Sequence, residues 1–484
     1  MKKQAIASEG SMDRISQLPQ PLLHEILSFL SQKEAVQTSV LSKSWRYLGS
    51  TRPNLHFDPR LFDGNEETFR SVLRKTLQRY LDQKLSIQEF CLATSGVNSK
   101  SISFLNKWIP IVLLHMGVKT FDLSFLHIES AYFKLPHVVF QSETLQSLSL
   151  YLCKLTQSPL DSVILCKHLK KLFFDRVYIA DETMAMILSN CRLIETCVVR
   201  RCRGLRNIKL DGQISLKLFE FEILECLQKH DHSIEINVPI LETVRITLFP
   251  SWFNRHNYLF PHLKSLYLKY MRFPSSSFDN FSSNFPCLEK LSLIHCYGFD
   301  ELQLSSRSIK KFIVEYGCTN TFKAVIDAPS LVGFKCRGHE IPQCIFLQET
   351  ASKLKVEIAV RCDMTANDYA ASWWCRELYE FLKAFSKSII SLYIGQELAE
   401  NVEDMEEVEE EVFNMEEVEE EVVEEEEVVE EEVEEEEEEV EEEEETNGGL
   451  CEPVVVERLI LSSDECSPSP SFLKNLKRVC IARK

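Results

Sequence analysis

The sequence predicts a mixed α/β chain: an N-terminal three-helix unit, then a curved solenoid of repeated strand-bearing coils carrying a disordered acidic insertion. Three observations predict it. Apolar residues crowd three short helical stretches between Ile15 and Leu48; one apolar pattern recurs ten times between Val118 and His339; and Val402 to Glu445 holds 29 Glu and one Asp with no Lys or Arg.

The helical unit comes first. Leu18-Pro19 reads as an extended step into a helix, because proline fits a first helical turn where its missing N–H costs nothing. Leu22, Leu23, Ile26, Leu27 and Leu30 then lay a broad apolar stripe along that helix. A second short helix from about Lys33 carries Ala35, Val36, Val40 and Leu41, and a third carries Trp45 and Leu48. So small a unit is marginal alone, and part of this apolar surface is expected to meet a partner. The run Ile15…Leu18-Pro19…Leu22…Ile26-Leu27-Ser28-Phe29-Leu30…Thr38-Ser39-Val40-Leu41…Trp45-Arg46…Leu48 resembles the F-box of plant proteins; the unit is placed at 12–58, after a disordered 1–11, with Met12 a second candidate start. The resemblance implies docking on the small Skp-type adaptor of a cullin–RING (SCF-type) ubiquitin ligase, through Leu18, Pro19, Leu22, Leu23, Ile26, Leu27, Leu30, Val40, Leu41 and Trp45. Ser31, Ser44 and Gly49 depart from the family pattern and are expected to weaken the interface mildly.

A helical connector and cap is expected over 59–117. Glu66–Leu85 carries Phe69, Val72, Leu73, Leu77, Tyr80 and Leu81; Ile102–Met116 carries Leu105, Trp108, Ile109 and Leu113, with Pro110 expected to kink it or end it early.

The repeats follow over 118–340. Apolar-x-x-apolar-x-apolar-x-x-(Cys or apolar) begins at Val118, Leu145, Leu169, Ile194, Leu216, Leu241, Leu263, Leu288, Ile309 and Leu331, advancing by 27, 24, 25, 22, 25, 22, 25, 21 and 22 residues. A repeat of this length and grammar is the leucine-rich-repeat signature. Each coil offers one short strand with alternate residues inward, and only stacking closes a core. The cap asparagine of well-formed repeats is mostly replaced by cysteine or a bulky residue. Flanking the inward residues are Lys171, Phe173, Arg200, Arg245, Tyr267, Lys269, Lys311, Lys335 and Arg337, which would line the concave face where such proteins commonly bind partners.

Beyond Leu331 the pattern loosens. Leu354–Val360 alternates as a strand, Trp373–Phe385 reads as a helix with Trp374, Leu378, Phe381, Leu382 and Phe385 on its apolar side, and the grammar returns at Ile389-Leu392-Ile394, Val456-Leu459-Leu461 and Leu476-Val479-Ile481. This tail resembles the FBD region of plant F-box proteins, placed at 341–400 and 450–484 around an acidic low-complexity insertion at 401–449. So many like charges with so little apolar area should keep the insertion disordered.

Charge and cysteine usage bound the function. The chain has 54 basic and 74 acidic residues, net −20; without the 30 acids of the insertion the balance is 54 against 44, net +10. The 17 cysteines show no C-x-x-C pair and no His/Cys cluster at zinc spacing, so no metal and no cofactor is expected; Cys153, Cys202, Cys296 and Cys336 sit where a thiol serves as a small apolar side chain. The absence of an apolar leader or long apolar run points to a reducing compartment, nucleus or cytoplasm. His24-Glu25 and His230-Asp-His232 match no catalytic motif, and no P-loop, dinucleotide fingerprint or nucleophile elbow is present, so the chain is expected to be non-catalytic. Two readings stay open: a substrate receptor that holds a target near ubiquitin-transfer subunits, or a non-degradative repeat protein with a basic face for an acidic partner.

Overall fold

The computed structural model describes residues 18–395 and 476–482, apart from 31–36, 42, 63–64, 95–98, 127–131, 156–163, 211–213, 223–232, 248–259, 274–280, 299–300, 318–321, 348–353, 362–367 and 386–387. The acidic insertion, His230-Asp-His232, Val456-Leu459-Leu461, Met12 and most of the second F-box helix lie outside the described residues. The chain divides into two compact units, Met1–Leu216 and Lys217–Lys484. Among the described residues no helix is long and apolar enough to cross a membrane.

In the first unit α1 spans Gln20–Ser28, a 3-10 turn Thr38–Val40 and α2 Lys43–Ser50. Pro19 stands just before the helix rather than inside it, and its carbonyl accepts from Leu22 N at 3.0 Å and Leu23 N at 3.2 Å. Six strands then pair in parallel, each with the next: β1 (Asn54–Phe57), β2 (Glu89–Thr94), β3 (Thr120–Phe125), β4 (Ser147–Tyr151), β5 (Lys171–Asp175) and β6 (Thr196–Arg200). The repeat ladder therefore starts at Asn54, ahead of the expected 118.

The connector helices are real but differently employed. α3 (Glu66–Asp82), capped by the Asn65 side chain accepting from Thr68 N, joins β1 to β2; α4 (Ser99–His115) joins β2 to β3. They are crossovers of the first two coils rather than a separate cap. α4 also runs through Pro110 without ending. Trp108, Ile109, Val112, Leu113 and Met116 are buried on either side of it, and that packing holds the turn despite the missing N–H. Tyr80 is wholly buried, and its hydroxyl donates to Arg52 O at 2.5 Å, tying α3 to the segment that leaves the F-box helices.

The second unit repeats the plan. β7 (Leu218–Glu222), β8 (Thr243–Thr247), β9 (Ser265–Lys269), β10 (Lys290–Ile294), β11 (Lys311–Tyr316), β12 (Gly333–Gly338), β13 (Lys355–Arg361), β14 (Ile389–Gly395) and β15 (Leu476–Ala482) pair in parallel in chain order. A helix, Asp368–Lys383, crosses from β13 to β14, and Leu378, Phe381, Leu382 and Phe385 are buried as the pattern expects. Phe385 meets Phe334 at 5.8 Å and Phe346 at 5.0 Å. In β14 the inward pair is Ile390 and Leu392, in register with Val356 and Ile358. The expected inward pair, Leu392 with Ile394, is thus set two residues too far along.

Inward rows explain the cohesion. Leu55, Phe90, Phe121, Leu148, Leu172 and Cys197 form one register row of the first unit, all buried, with Phe90 and Phe121 stacked at 5.8 Å. Parallel pairing puts like residue on like residue, so every coil closes the core of its neighbour.

Candidate functional site

The F-box helices divide their apolar residues between two stripes. Leu23 and Leu27, four apart on α1, are buried with Trp45 and Leu48 of α2, and Leu30 packs against them. One step around the helix, Leu22 is 45% exposed, Ile26 37% and Phe29 82%, and Leu18, just before the helix, is 36% exposed. Spacings of four and three put Leu22, Ile26 and Phe29 on one side of α1. Val40 (82%) and Leu41 (65%), at the 3-10 turn, are exposed as well. Among the described residues of the unit, Leu23, Leu27, Trp45 and Leu48 form the core and this second set stays exposed. Exposed large apolar groups of this kind suit a protein contact.

Of the expected docking set, Leu23, Leu27 and Trp45 lie in the unit's own core, and Leu30 is shared between core and surface. Leu18, Pro19, Leu22, Ile26, Val40 and Leu41 stand exposed. Phe29 was missed because its place three residues after Ile26, on the outer side, separates from the broad stripe only once the core is known.

The outward face of the strands is mixed in charge. In the first unit Lys171 is exposed, and the Arg200 guanidinium lies 5.6 Å from the Phe173 ring centre, a cation–π contact. In the second unit one register row reads Glu220, Arg245, Tyr267, Ser292, Ile313, Lys335, Glu357. Arg245 pairs with Glu220 at 3.6 Å and Lys335 with Glu357 at 2.9 Å. Lys269 Nζ sits 5.0 Å from the Tyr270 ring centre, while Lys311 is exposed beside Lys290. The expectation of a basic face is corrected: acids at equivalent flanking positions neutralise two of its cations.

One constellation escaped chain spacing altogether. His56 of β1 is in register with Cys91 of β2 and Cys91 with Asp122 of β3; Glu89 is on the same face, two residues before Cys91. His56 Nε2 lies 3.5 Å from Glu89 Oε2, and Cys91 Sγ 3.8 Å from Glu89 Oε1. Burial, followed by the charges of Asp122 and Glu89, pushes the Cys91 thiol up to about 12. Burial also raises the Asp122 carboxyl, with His56 opposing and Glu89 adding to it. No local motif contains these residues, because His56 and Cys91 are register partners 35 positions apart in the chain.

Comparison with known proteins follows the same division. Residues 15–57 match the F-box domain family, residues 82–252 the family described as At1g61320/AtMIF1, LRR domain, and residues 239–357 the LRR repeats of FBD-associated F-box protein At5g56370. Among Arabidopsis thaliana proteins, putative F-box/LRR-repeat protein At3g18150 is 32% identical over 43% of this chain and 42% of its own length. F-box/LRR-repeat protein 25 is 29% identical over 49% of this chain and 86% of its own, and F-box/FBD/LRR-repeat protein At5g56420 32% identical over 41% and 46%. The chain thus spans less than half the length of two of these three relatives. Fold and matches together define a protein with an F-box followed by leucine-rich repeats. That is the domain composition of the plant F-box/LRR-repeat proteins to which it is similar.

Proposed function

We propose that this chain is a substrate receptor of a cullin–RING ubiquitin ligase, with the F-box seated on a Skp-type adaptor and the outward strand face of the repeats holding the target. The observation that carries the reading is the apolar side Leu22, Ile26 and Phe29 of α1, exposed with Leu18 beside a core formed by Leu23, Leu27, Trp45 and Leu48. No chemistry is required of the chain itself. Its contribution is proximity, which raises the target's effective concentration at a charged conjugating enzyme. The mixed register row suits a protein surface with alternating charges and an apolar centre at Tyr267 and Ile313 better than a polyanion, so the receptor reading is preferred over a basic-face binder.

The test is capture of a recombinant Skp-type adaptor. Phe29→Asp combined with Val40→Asp should abolish capture while leaving thermal unfolding unchanged, because both side chains are solvent-facing. Single truncation at either position should cost about 2 kcal/mol, roughly thirtyfold in Kd. Trp45→Ala should lose capture together with F-box stability. Undiminished capture by the double variant would remove the proposal.

A further inference from the structure

We propose that His56, Glu89 and Cys91 form a binding site for a thiophilic divalent cation of the zinc class, at the edge of the ladder where the chain leaves the F-box helices and enters the first repeat. The three ligand atoms lie within 4.8 Å of one another. Glu89 faces one of the other two ligands with each oxygen: Oε2 lies 3.5 Å from His56 Nε2 and Oε1 3.8 Å from Cys91 Sγ. Four-coordinate zinc, with bonds of about 2.0–2.3 Å, spaces its ligand atoms about 3.3–3.8 Å apart. Both separations match that spacing; because they end on different oxygens of Glu89, holding the ion through one oxygen requires a turn of that carboxylate.

The donor set supplies the selectivity. One imidazole nitrogen, one sulfur and one carboxylate oxygen suit zinc or cobalt(II), whereas magnesium and calcium take oxygen ligands in larger number. Charge points the same way. The carboxyl groups of Glu89 and Asp122 share this face with Cys91, and the thiol releases its proton to solvent on binding. Access is open: the His56 side chain is 50% exposed and Glu89 35%. The fourth position then faces solvent, for water or a partner's ligand.

The ligands are held by pairing that exists without metal. β1 and β2 are joined from Asn54 to Phe57, and Leu55 and Phe57, on the opposite side of β1, are buried. A cation here would staple the terminal strand of the ladder to its neighbour, fixing the strand that follows directly from α2.

Reduced, metal-free full-length protein titrated with cobalt(II) tests the proposal. One equivalent should develop sulfur-to-cobalt charge-transfer absorption and tetrahedral visible bands, both removed by stoichiometric zinc. Cys91→Ser should abolish the charge-transfer band. His56→Ala, which alters an exposed side chain and should leave circular dichroism unchanged, should weaken cobalt binding by more than about tenfold. Cobalt held by the glutamate run would be bound through oxygen alone and give no sulfur band. An absent band in the wild-type chain, or an equal one in Cys91→Ser or His56→Ala, would overturn the site.

Discussion

At the scale of single residues, the demands of the coil are sharpest where a strand turns. Asp175 ends β5, is nearly buried, and accepts a two-pronged interaction from Arg201, Nε to Oδ1 at 3.2 Å and an NH2 nitrogen to Oδ2 at 2.8 Å. Arg201→Ala would leave that carboxylate in a poor environment and should cost about 3 kcal/mol in urea unfolding. Arg201→Lys should restore less than half, since a lysine cannot reproduce the fork. Gly338 is constrained differently. A Cβ built there falls 2.1 Å from Cζ of Tyr316, whose hydroxyl donates to Glu340 O at 2.5 Å and whose ring stacks on Phe322 at 5.6 Å. The ring is pinned from both ends, so Gly338→Ala should cost about 1–3 kcal/mol by overpacking, measured by the same unfolding curve.

At the scale of the element, the residue following a strand adopts a left-handed conformation again and again: Leu152, Arg176, Arg201, Tyr270 and His295 have φ of 54, 53, 49, 53 and 49°. The reward is visible in the next coil. Arg176 N donates to Arg200 O, Tyr270 N to Ile294 O and His295 N to Glu315 O, so the ladder gains a bond beyond its last strand residue. Each turn costs roughly 1–2 kcal/mol for an L-residue, most for a β-branched one. Tyr270→Gly should therefore be better tolerated than Tyr270→Val by about 1–2 kcal/mol in thermal or urea unfolding. None of this was legible in the sequence, because no glycine marks these turns. The ten inward pairs, by contrast, were fully legible: Phe121 and Leu123 through Phe334 and Cys336 are all buried, since period-two alternation carries the signal directly. The first two coils were hidden by their length. Leu55–Phe57 and Phe90–Leu92 alternate just as well, but whole helices stretch the advance from Asn54 to Glu89 and on to Thr120 beyond the common period. The F-box site was half legible, its apolar residues found but core and contact surface unseparated.

At the scale of the whole molecule, thiols serve as packing. Cys153, Cys166, Cys191, Cys197 and Cys336 are buried, and burial pushes each of them up to about 12 from an ordinary value of 9.0. Between those limits the native state keeps protons that the unfolded chain gives up. Stability contributed by the neutral thiols is thus intact below about pH 9 and lost as pH climbs toward 12. Lysines and tyrosines do titrate there, so the wild-type curve alone is not diagnostic. The difference between wild type and Cys153→Ala isolates one thiol: the variant is weaker at pH 8, and its deficit should shrink steadily as pH is raised from 9 to 11. Alkylation supplies the kinetic counterpart. In the native protein at pH 8, exposed Cys287 should react with iodoacetamide well before these five, as read by peptide mass spectrometry, because a buried thiol is both unionised and out of reach. A deficit for Cys153→Ala that is constant across pH 8 to 11 would mean that the thiol contributes volume alone.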